Sequence, residues 1–430
     1  MSEKYYSKLD ETLFRTVLPN GLTVMVVPKK EFSRKSAYFV TDFGAIHRDF
    51  TLEGEQYETP AGVAHFLEHK MFDLPGRDVS AEFAALGASV NAFTSYDLTA
   101  YYFSCTERFD ESLRLLLEFV STPYFTAESV EKEQGIIDQE IAMNADDPNT
   151  RVFETLVEAM YHSHNIRTPI LGTSDSIRQI TPQTLYTCHR AFYTPANMLL
   201  CVMGDVDPEA VCSAARQVLG DERKNAGIKA PFPREDMTCP QATVESYMDI
   251  PMPSFYLGFK CPPVPQGMEG IRQEVIGDLA AEVLFGEASA LYLRLYEEGL
   301  IDSSFGGGFE VIDGCAILTC GGDSDDAQAV RGAIIRQAES IVRQGVQEAE
   351  FLRLKRSAMG RRIRDLDSFS STCFRLCAYQ CSGFDYFDFP SVYETVTTAD
   401  VLQFLQCHIR EDNCAISVIY PNEATKEETQ

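Results

Sequence analysis

The chain has 430 residues, which is too long for one ordinary domain core and indicates two or three domains. Apolar residues make up 45% and charged residues 23% of the sequence, a balance that favours packed cores over large disordered segments. The net charge of −27 would repel phosphate backbones and argues against nucleic-acid binding; it either keeps the protein soluble or attracts basic peptides.

The amino terminus, Met1-Ser2-Glu3-Lys4, lacks the apolar segment of a signal peptide. No stretch approaches the ~20 apolar residues that a membrane-spanning helix needs. We therefore expect a cytoplasmic protein without a membrane partner. The 13 cysteines are scattered and odd in number, which fits reduced thiols better than a disulfide framework.

The first predicted strands flank an Asn20-Gly21 turn, because Asn-Gly tolerates the positive φ angles of a tight hairpin. Hydrophobic periodicity and turn residues predict the other elements of the first half. They are strands over 36–43, 90–105 and 198–203, and helices over 62–72, 80–86, 107–120, 127–143, 182–192 and 208–219.

The second half repeats this layout. Residues 398–402, the helix that follows, Asn413 and a strand over 414–420 match 181–185, Asn197 and the strand over 198–203 at an offset of about 217 residues. Clustered prolines indicate a linker between the halves. We predict an α+β protein of two homologous sheet-and-helix domains, over 1–225 and 241–430, joined by a linker over 226–240.

The segment His65-Phe66-Leu67-Glu68-His69 carries most of the functional signal. Residues four apart lie on one face of a helix, so both imidazoles can hold one metal ion. Glu68 would lie beside that ion, where a carboxylate can take a proton from water. The alternative is a surface helix with two unrelated histidines, but the apolar neighbours of the motif favour a buried helix.

A third metal ligand is expected from the helix over 127–143. Glu133 and Glu140 lie two helical turns apart and so share a face of this helix. On these residues alone, ordinary solvated glutamates remain an equal alternative.

The order His-Phe-Leu-Glu-His, followed after about seventy residues by Glu-(six residues)-Glu, resembles the pitrilysin/insulinase family of inverted-motif zinc peptidases. Further similar segments extend over nearly the whole chain. They are Leu18-Pro19-Asn20-Gly21-Leu22, Gly87 with Asn91-Ala92-Phe93-Thr94, Pro169-Ile170-Leu171-Gly172-Thr173, Tyr193-Thr194-Pro195-Ala196-Asn197 and Gly204-Asp205.

The resemblance implies a zinc metalloendopeptidase of the mitochondrial-processing-peptidase-like fold, with a zinc-binding first domain and an inactive second one. It implies Zn²⁺ ligands at His65, His69 and Glu140. It also implies Glu68 as the catalytic base and Glu133 as a supporting catalytic carboxylate. The peptide substrate would add to the edge strand that holds Asn91, Ala92, Phe93 and Thr94.

One departure from the family concerns its arginine and tyrosine, which bind the substrate backbone and stabilise the oxyanion. Tyr296 stands where the arginine is usual, and Asp302 stands where the tyrosine is usual. An ionised aspartate opposes a developing negative charge. The resemblance therefore implies the zinc-bearing subunit of a bacterial two-gene pair, whose homologous partner carries the arginine and tyrosine.

Two alternatives remain open. The chain could be a non-catalytic scaffold, like the relatives that serve as core subunits of respiratory complexes. The chain could instead be a redox or iron–sulfur protein built on Cys373, Cys377 and Cys381, which recur on one helix face. These cysteines could also be small hydrophobic residues that pack one face of a helix against the core.

Overall fold

The structure is a computed structural model that describes residues 1–422, and these form two compact units. The first unit comprises Met1–Ile141, Pro169–Pro231 and Ile363–Asp388. The second comprises Ala142–Thr168, Phe232–Arg362 and the described part of 389–430. One crossing between the units falls inside the predicted linker over 226–240. The predicted domain boundaries divide the chain by its sequence repeat, whereas these units are defined by contacts between residues, so the predicted boundaries stay a prediction. Residues 423–430 lie outside the described range.

The strands are numbered in chain order. They are β1 (Ser2–Tyr6), β2 (Glu11–Val17), β3 (Thr23–Pro28), β4 (Lys35–Thr41), β5 (Asp49–Leu52), β6 (Glu55–Glu58), β7 (Asp73–Leu74), β8 (Arg77–Asp78), β9 (Ser89–Thr94), β10 (Thr99–Cys105), β11 (Met198–Gly204), β12 (Ile228–Lys229), β13 (Thr243–Met248), β14 (Ser254–Cys261), β15 (Gly306–Ile312), β16 (Cys315–Asp323) and β17 (Cys414–Pro421).

The α-helices are numbered in the same way. They are α1 (Val63–Met71), α2 (Val79–Ala85), α3 (Phe109–Ser121), α4 (Ala127–Ala145), α5 (Pro148–Met160), α6 (Ser174–Ile177), α7 (Pro182–Phe192), α8 (Pro208–Leu219), α9 (Met268–Phe285), α10 (Ala290–Glu297), α11 (Ala327–Gln344), α12 (Glu348–Arg364), α13 (Phe369–Cys381), α14 (Phe389–Thr395) and α15 (Thr398–His408). Short 3-10 helices lie at Asn165–Arg167, Pro195–Asn197, Asp365–Asp367 and Tyr386–Asp388.

The first unit is built on a seven-stranded sheet in the order β1-β2-β3-β11-β4-β10-β9. The predicted hairpin is confirmed as β2 and β3, and Gly21 in its turn has a φ of +96°. The single strand predicted over 90–105 is wrong, because the segment is a hairpin of β9 and β10. Its turn is closed by Ser95, whose amide donates to Leu98 O at 2.8 Å and whose hydroxyl donates to Asp97 at 2.7 Å.

The second unit repeats five consecutive strands of the first, from β3 to the edge strand β9. The order β3-β11-β4-β10-β9 corresponds to β13-β17-β14-β16-β15, with β11 and β17 each parallel to one neighbour and antiparallel to the other. Asn197 Nδ2 donates to Phe192 O at 3.0 Å, and Asn413 Nδ2 donates to His408 O at 2.9 Å. In each unit this asparagine ties the end of a helix to the start of the next strand. The predicted α+β class with two homologous halves is confirmed.

The lengths and hydropathies of the helices bear on the prediction that the chain does not cross a membrane. Among residues 1–422 there is no helix both long and apolar enough to cross a bilayer.

Cys373 and Cys377 are fully buried on α13, facing Cys201 of β11, and burial raises the pKa of all three thiols. Within the described range these sulfurs do not lie close enough together to hold a metal ion. The packing interpretation of this cysteine cluster therefore fits the structure.

Candidate metal centre

Helix α1 lies inside the core of the first unit, and Val63, Phe66, Leu67 and Met71 are each at most 2% exposed. The helix begins after Gly62, which has a φ of +86°. A side-chain carbon at this glycine would lie 2.3 Å from the carbonyl oxygen of Leu171, so only glycine fits. The segment around Leu171 therefore fixes where α1 starts and how it is oriented.

The two histidines of α1 face Glu140 of α4. The rings of His65 and His69 have centroids 4.5 Å apart. His65 Nε2 lies 3.6 Å from Glu140 Oε1, and His69 Nε2 lies 3.6 Å from Glu140 Oε2. One ligand atom from each of the three residues lies within 4.8 Å of the others. The structure thus brings together the three side chains that the sequence predicted as metal ligands.

These separations fit a zinc ion. Zinc–nitrogen and zinc–oxygen bonds of about 2.0–2.1 Å in tetrahedral geometry place neighbouring ligand atoms about 3.4 Å apart. Burial and the neighbouring charge of His69 lower the pKa of His65 to about 3, so this imidazole is neutral, as a metal ligand must be. Two imidazoles and one carboxylate are a common catalytic zinc set that leaves a fourth position open.

Glu133 contacts the ring nitrogen of His69 that does not face Glu140. Its Oε1 lies 3.0 Å from His69 Nδ1, so His69 can donate a hydrogen bond there and keep Nε2 free for a metal. Burial lowers the pKa of His69, but the hydrogen bond to Glu133 and the charges of Glu68, Glu133 and Glu140 outweigh it and raise that pKa.

Glu68 lies on the same helix and is 8% exposed. Burial raises the pKa of this carboxyl, against the opposing effects of a hydrogen bond from Thr94 and the charge of His69. Thr94 Oγ1 donates to Glu68 Oε2 at 2.7 Å. A carboxylate with a raised pKa, held in one orientation beside a metal site, is suited to proton transfer near neutral pH.

The predicted substrate-binding residues lie on β9, which is an edge of the seven-stranded sheet. Ala92 packs against the core, and the ring of Phe93 meets that of Phe374 with centroids 5.4 Å apart. Asn91 Oδ1 accepts from the amide of Ala92 at 2.8 Å. Peptide binding along this edge stays a prediction, but the contact of Thr94 with Glu68 is one that sequence reasoning missed.

Comparison with known proteins gives the family. The family model described as insulinase (peptidase family M16) matches residues 53–174, and that described as the peptidase M16 inactive domain matches residues 179–358. The Bacillus subtilis protein named "Uncharacterized zinc protease YmfH" is 36% identical over 427 residues, covering 97% of this chain and 98% of that protein. The chain belongs to the pitrilysin/insulinase family, peptidase family M16.

Solved structures agree with this family. An M16-like peptidase from Alicyclobacillus acidocaldarius is 33% identical, with a TM-score of 0.92 over 96% of this chain and 99% of that one. A protease from Helicobacter pylori is 20% identical, with a TM-score of 0.82 over 95% of this chain and 99% of that one, and shows the shared M16 fold.

The second unit carries no histidine pair in the corresponding helix. There α9 packs against the edge strand β15, as α1 packs against β9. Glu274 and Asp278 lie four apart on α9, and Arg362 Nη2 of α12 donates to them at 2.6 and 3.0 Å. A guanidinium thus joins two carboxylates in this M16 unit, where α1 of the first unit presents two histidines to Glu140.

Proposed function

We propose that this chain is a zinc-dependent endopeptidase and that it works as one half of a heterodimer. The observation that supports the peptidase most directly is the position of Glu68. This buried carboxylate lies on the helix of His65 and His69 and is oriented by the hydroxyl of Thr94. A site that only stored a metal would not need an additional, oriented carboxylate beside its three ligands.

His65, His69 and Glu140 would hold the ion. When bound, zinc would supply Lewis acidity that makes water a better nucleophile and polarises the scissile carbonyl. Glu68 would accept the proton of the attacking water and pass it to the leaving amine. Its raised pKa suits both steps, because a strongly acidic carboxylate would be a poor base and a poor proton carrier.

Substrate would bind as an added strand. Edge strand β9 has unpaired backbone groups on its open side, and Thr94 at its end contacts Glu68. Backbone pairing there would lay an extended peptide beside the base with limited sequence specificity. We expect unfolded peptides rather than folded proteins as substrates.

Three variants test the chemistry. Wild-type protein should contain about one zinc per chain, and His65→Ala should lose it. Glu68→Gln should keep zinc and fold but lose cleavage of an unstructured fluorogenic peptide, assayed with the partner present. Glu131→Gln, an exposed glutamate of α4, is the matched control and should change neither property. Full cleavage by Glu68→Gln would refute the role of the base. A wild type that cannot be loaded with zinc would favour the scaffold alternative.

The proposed need for a partner rests on Tyr296 and Asp302. Asp302 Oδ1 accepts hydrogen bonds from the amide and the hydroxyl of Ser304 at 2.7 and 2.5 Å, which lower its pKa and keep it ionised. An ionised carboxylate cannot donate to an oxyanion, and a missing donor costs about 10²–10³ in rate. A second copy of this chain would bring the same deficiency, whereas a homologous chain with an arginine and a tyrosine would not.

The partner proposal is tested by reconstitution. The chain is assayed alone, with a homologous chain that carries the arginine and tyrosine, and with that chain after both residues are removed. Cleavage should appear only in the mixture with the intact homologous chain. Equal activity of the isolated chain would show that Tyr296 and Asp302 are no obstacle, and the heterodimer proposal would fail while the zinc assignment remained.

A further inference from the structure

A lysine lies buried directly beside the metal centre. Lys70 follows His69 on α1 and is 1% exposed, which makes it as buried as the apolar core residues Phe66 and Met71 of the same helix. An ammonium group is strongly hydrated, so removing it from water is costly unless charged or polar partners replace the water. Lysine is therefore a poor choice for filling space at this position, and its partners show what it does.

Two oxygens accept hydrogen bonds from this ammonium, and a carboxylate oxygen lies at ion-pair distance. Lys70 Nζ donates to Asp73 Oδ2 at 2.5 Å and to the carbonyl oxygen of Ser129 at 3.4 Å. It also lies 4.0 Å from Oε2 of Glu133. Ser129 and Glu133 both belong to α4, so the ammonium joins the end of α1 to the helix that supplies Glu140.

The two oxygens of Glu133 have different partners. Oε1 lies 3.0 Å from Nδ1 of His69, and Oε2 faces the ammonium of Lys70. The Glu133 side chain is 15% exposed, so little water can compete for either oxygen. The positive charge 4.0 Å from Oε2 therefore favours the orientation of the carboxylate in which Oε1 meets His69.

We propose that Lys70 is a positioning residue of the metal centre and acts through Glu133. Its ammonium holds the Glu133 carboxylate so that Oε1 accepts from His69 Nδ1, which leaves His69 Nε2 directed toward Glu140 and the ion. The inference rests on the metal binding within the proposed function. It does not depend on peptidase activity or on a partner chain.

A double-mutant cycle separates this role from simple helix docking. Zinc affinity is measured by competition with a chelator for wild type, Lys70→Met, Glu133→Gln and the double variant. Removal of such an outer partner weakens metal binding about 10- to 100-fold, so Lys70→Met should lose affinity within that range. In the Glu133→Gln background, Lys70→Met should cause little further loss. An equal loss in both backgrounds would overturn the proposal, because docking of α4 through Ser129 does not need the Glu133 charge.

Two companion variants support the cycle. Lys70→Arg keeps the positive charge and should retain most of the affinity. Lys132→Met removes an exposed lysine of α4 and should leave zinc affinity unchanged. If Lys70→Met fails to fold, Lys70→Gln replaces it in the cycle, since glutamine can still donate to Ser129 without carrying charge.

A second measurement needs no metal. Nitrogen-15 chemical shifts of the His69 ring in the zinc-free protein, recorded at a pH above the raised pKa of His69 where the ring is neutral, report which ring nitrogen carries the proton. Wild type should show the Nδ1–H form, and Lys70→Met should shift the ring toward a mixture. An unchanged tautomer in Lys70→Met would overturn the proposal. A wild type that binds zinc and shows the fixed tautomer, yet cleaves no peptide with any partner, would refute the proposed function and leave the role of Lys70 intact.

Discussion

Thr94 donates its hydroxyl hydrogen to Glu68 Oε2 at 2.7 Å, and this bond links the last residue of edge strand β9 to the proposed base on α1. The same hydroxyl lies 3.3 Å from that of Thr99 on the neighbouring strand β10. A peptide that paired with β9, as the proposed function has it, would therefore bind to a strand whose end is bonded to Glu68. In that proposal, the side chain of Thr94 would couple substrate binding to proton transfer.

The first prediction concerns Thr94→Val. The hydrogen bond from Thr94 lowers the pKa of Glu68 against the raising effect of burial, so its removal should raise that pKa further. Since the base must be ionised, the acidic limb of the kcat/KM profile should move to higher pH, with zinc content unchanged. Thr122→Val is the matched control, because Thr122 is an exposed threonine whose hydroxyl donates to Glu118 O at 2.7 Å, away from Thr94 and Glu68. Coincident acidic limbs for wild type and Thr94→Val would contradict the prediction.

The second prediction concerns pH and zinc. The pKa of His69 is raised above its ordinary value, with burial opposing and Glu133 and the other carboxylates prevailing. Zinc must then displace a proton from metal-free His69 near neutral pH. Affinity should fall on acidification, starting above pH 6.5, and calorimetry in buffers of different ionisation enthalpy should detect the released proton. Affinity that stays constant from pH 8 to pH 6 would contradict this prediction.

The third prediction concerns Gly62, whose φ is +86° and whose added side-chain carbon would lie 2.3 Å from Leu171 O. Gly62→Ala should therefore cost more than the backbone strain alone. Gly76→Ala isolates that strain, because Gly76 has a φ of +69° and nothing within 4 Å of an added carbon. We expect Gly76→Ala to lose about 1–2 kcal/mol of unfolding free energy and Gly62→Ala clearly more. If Gly62→Ala and Gly76→Ala lost equal unfolding free energy in metal-free protein, the backbone at Leu171 would be able to shift without an energetic penalty, and the prediction would be wrong.

Much of the fold could be predicted because periodicity and turn chemistry act locally. The helices over 182–192 and 208–219 have the bounds predicted from sequence, and each begins behind a capping side chain, Thr181 and Asp207. The hairpin within 90–105 was missed because its turn, 95–98, contains no glycine or proline. It is stabilised instead by side-chain bonds of Ser95.

The three candidate metal ligands could be predicted because two of them are fixed by helical spacing, and the third is supplied by the family's pattern. The supporting contacts could not be predicted, because they join residues far apart in the chain: Thr94 with Glu68, and Lys70 with Glu133. Lys70 left no distinct signal in the sequence, because His65, Glu68 and His69 make its helix only partly apolar. Only the structure shows that Glu133 is one of its partners.

The last prediction concerns the second unit, where Arg362 holds Glu274 and Asp278 at 2.6 and 3.0 Å. Burial raises the pKa of Asp278 to about 7; the charge of Arg362 opposes this, while Glu274 and Glu310 add to it. This pKa lies above the value in the unfolded chain, so the folded state binds more protons between about pH 4 and pH 7. The contribution of Asp278 to stability therefore decreases as pH rises through that window.

Two substitutions should have opposite effects on this cluster. Arg362→Met leaves two partly buried carboxylates without their cation and should cost about 1–3 kcal/mol of unfolding free energy at pH 8, and less at pH 5, where Asp278 is protonated. Asp278→Asn removes one of the repelling charges and should be neutral or stabilising at pH 8. Arg356→Met, on the exposed side of α12, is the control for loss of an arginine from this helix. Chemical denaturation at pH 8 and pH 5 measures the free energy of unfolding of the metal-free wild type and the three variants. An Arg362→Met variant as stable as Arg356→Met at pH 8 would show that the guanidinium is not needed to hold these carboxylates together.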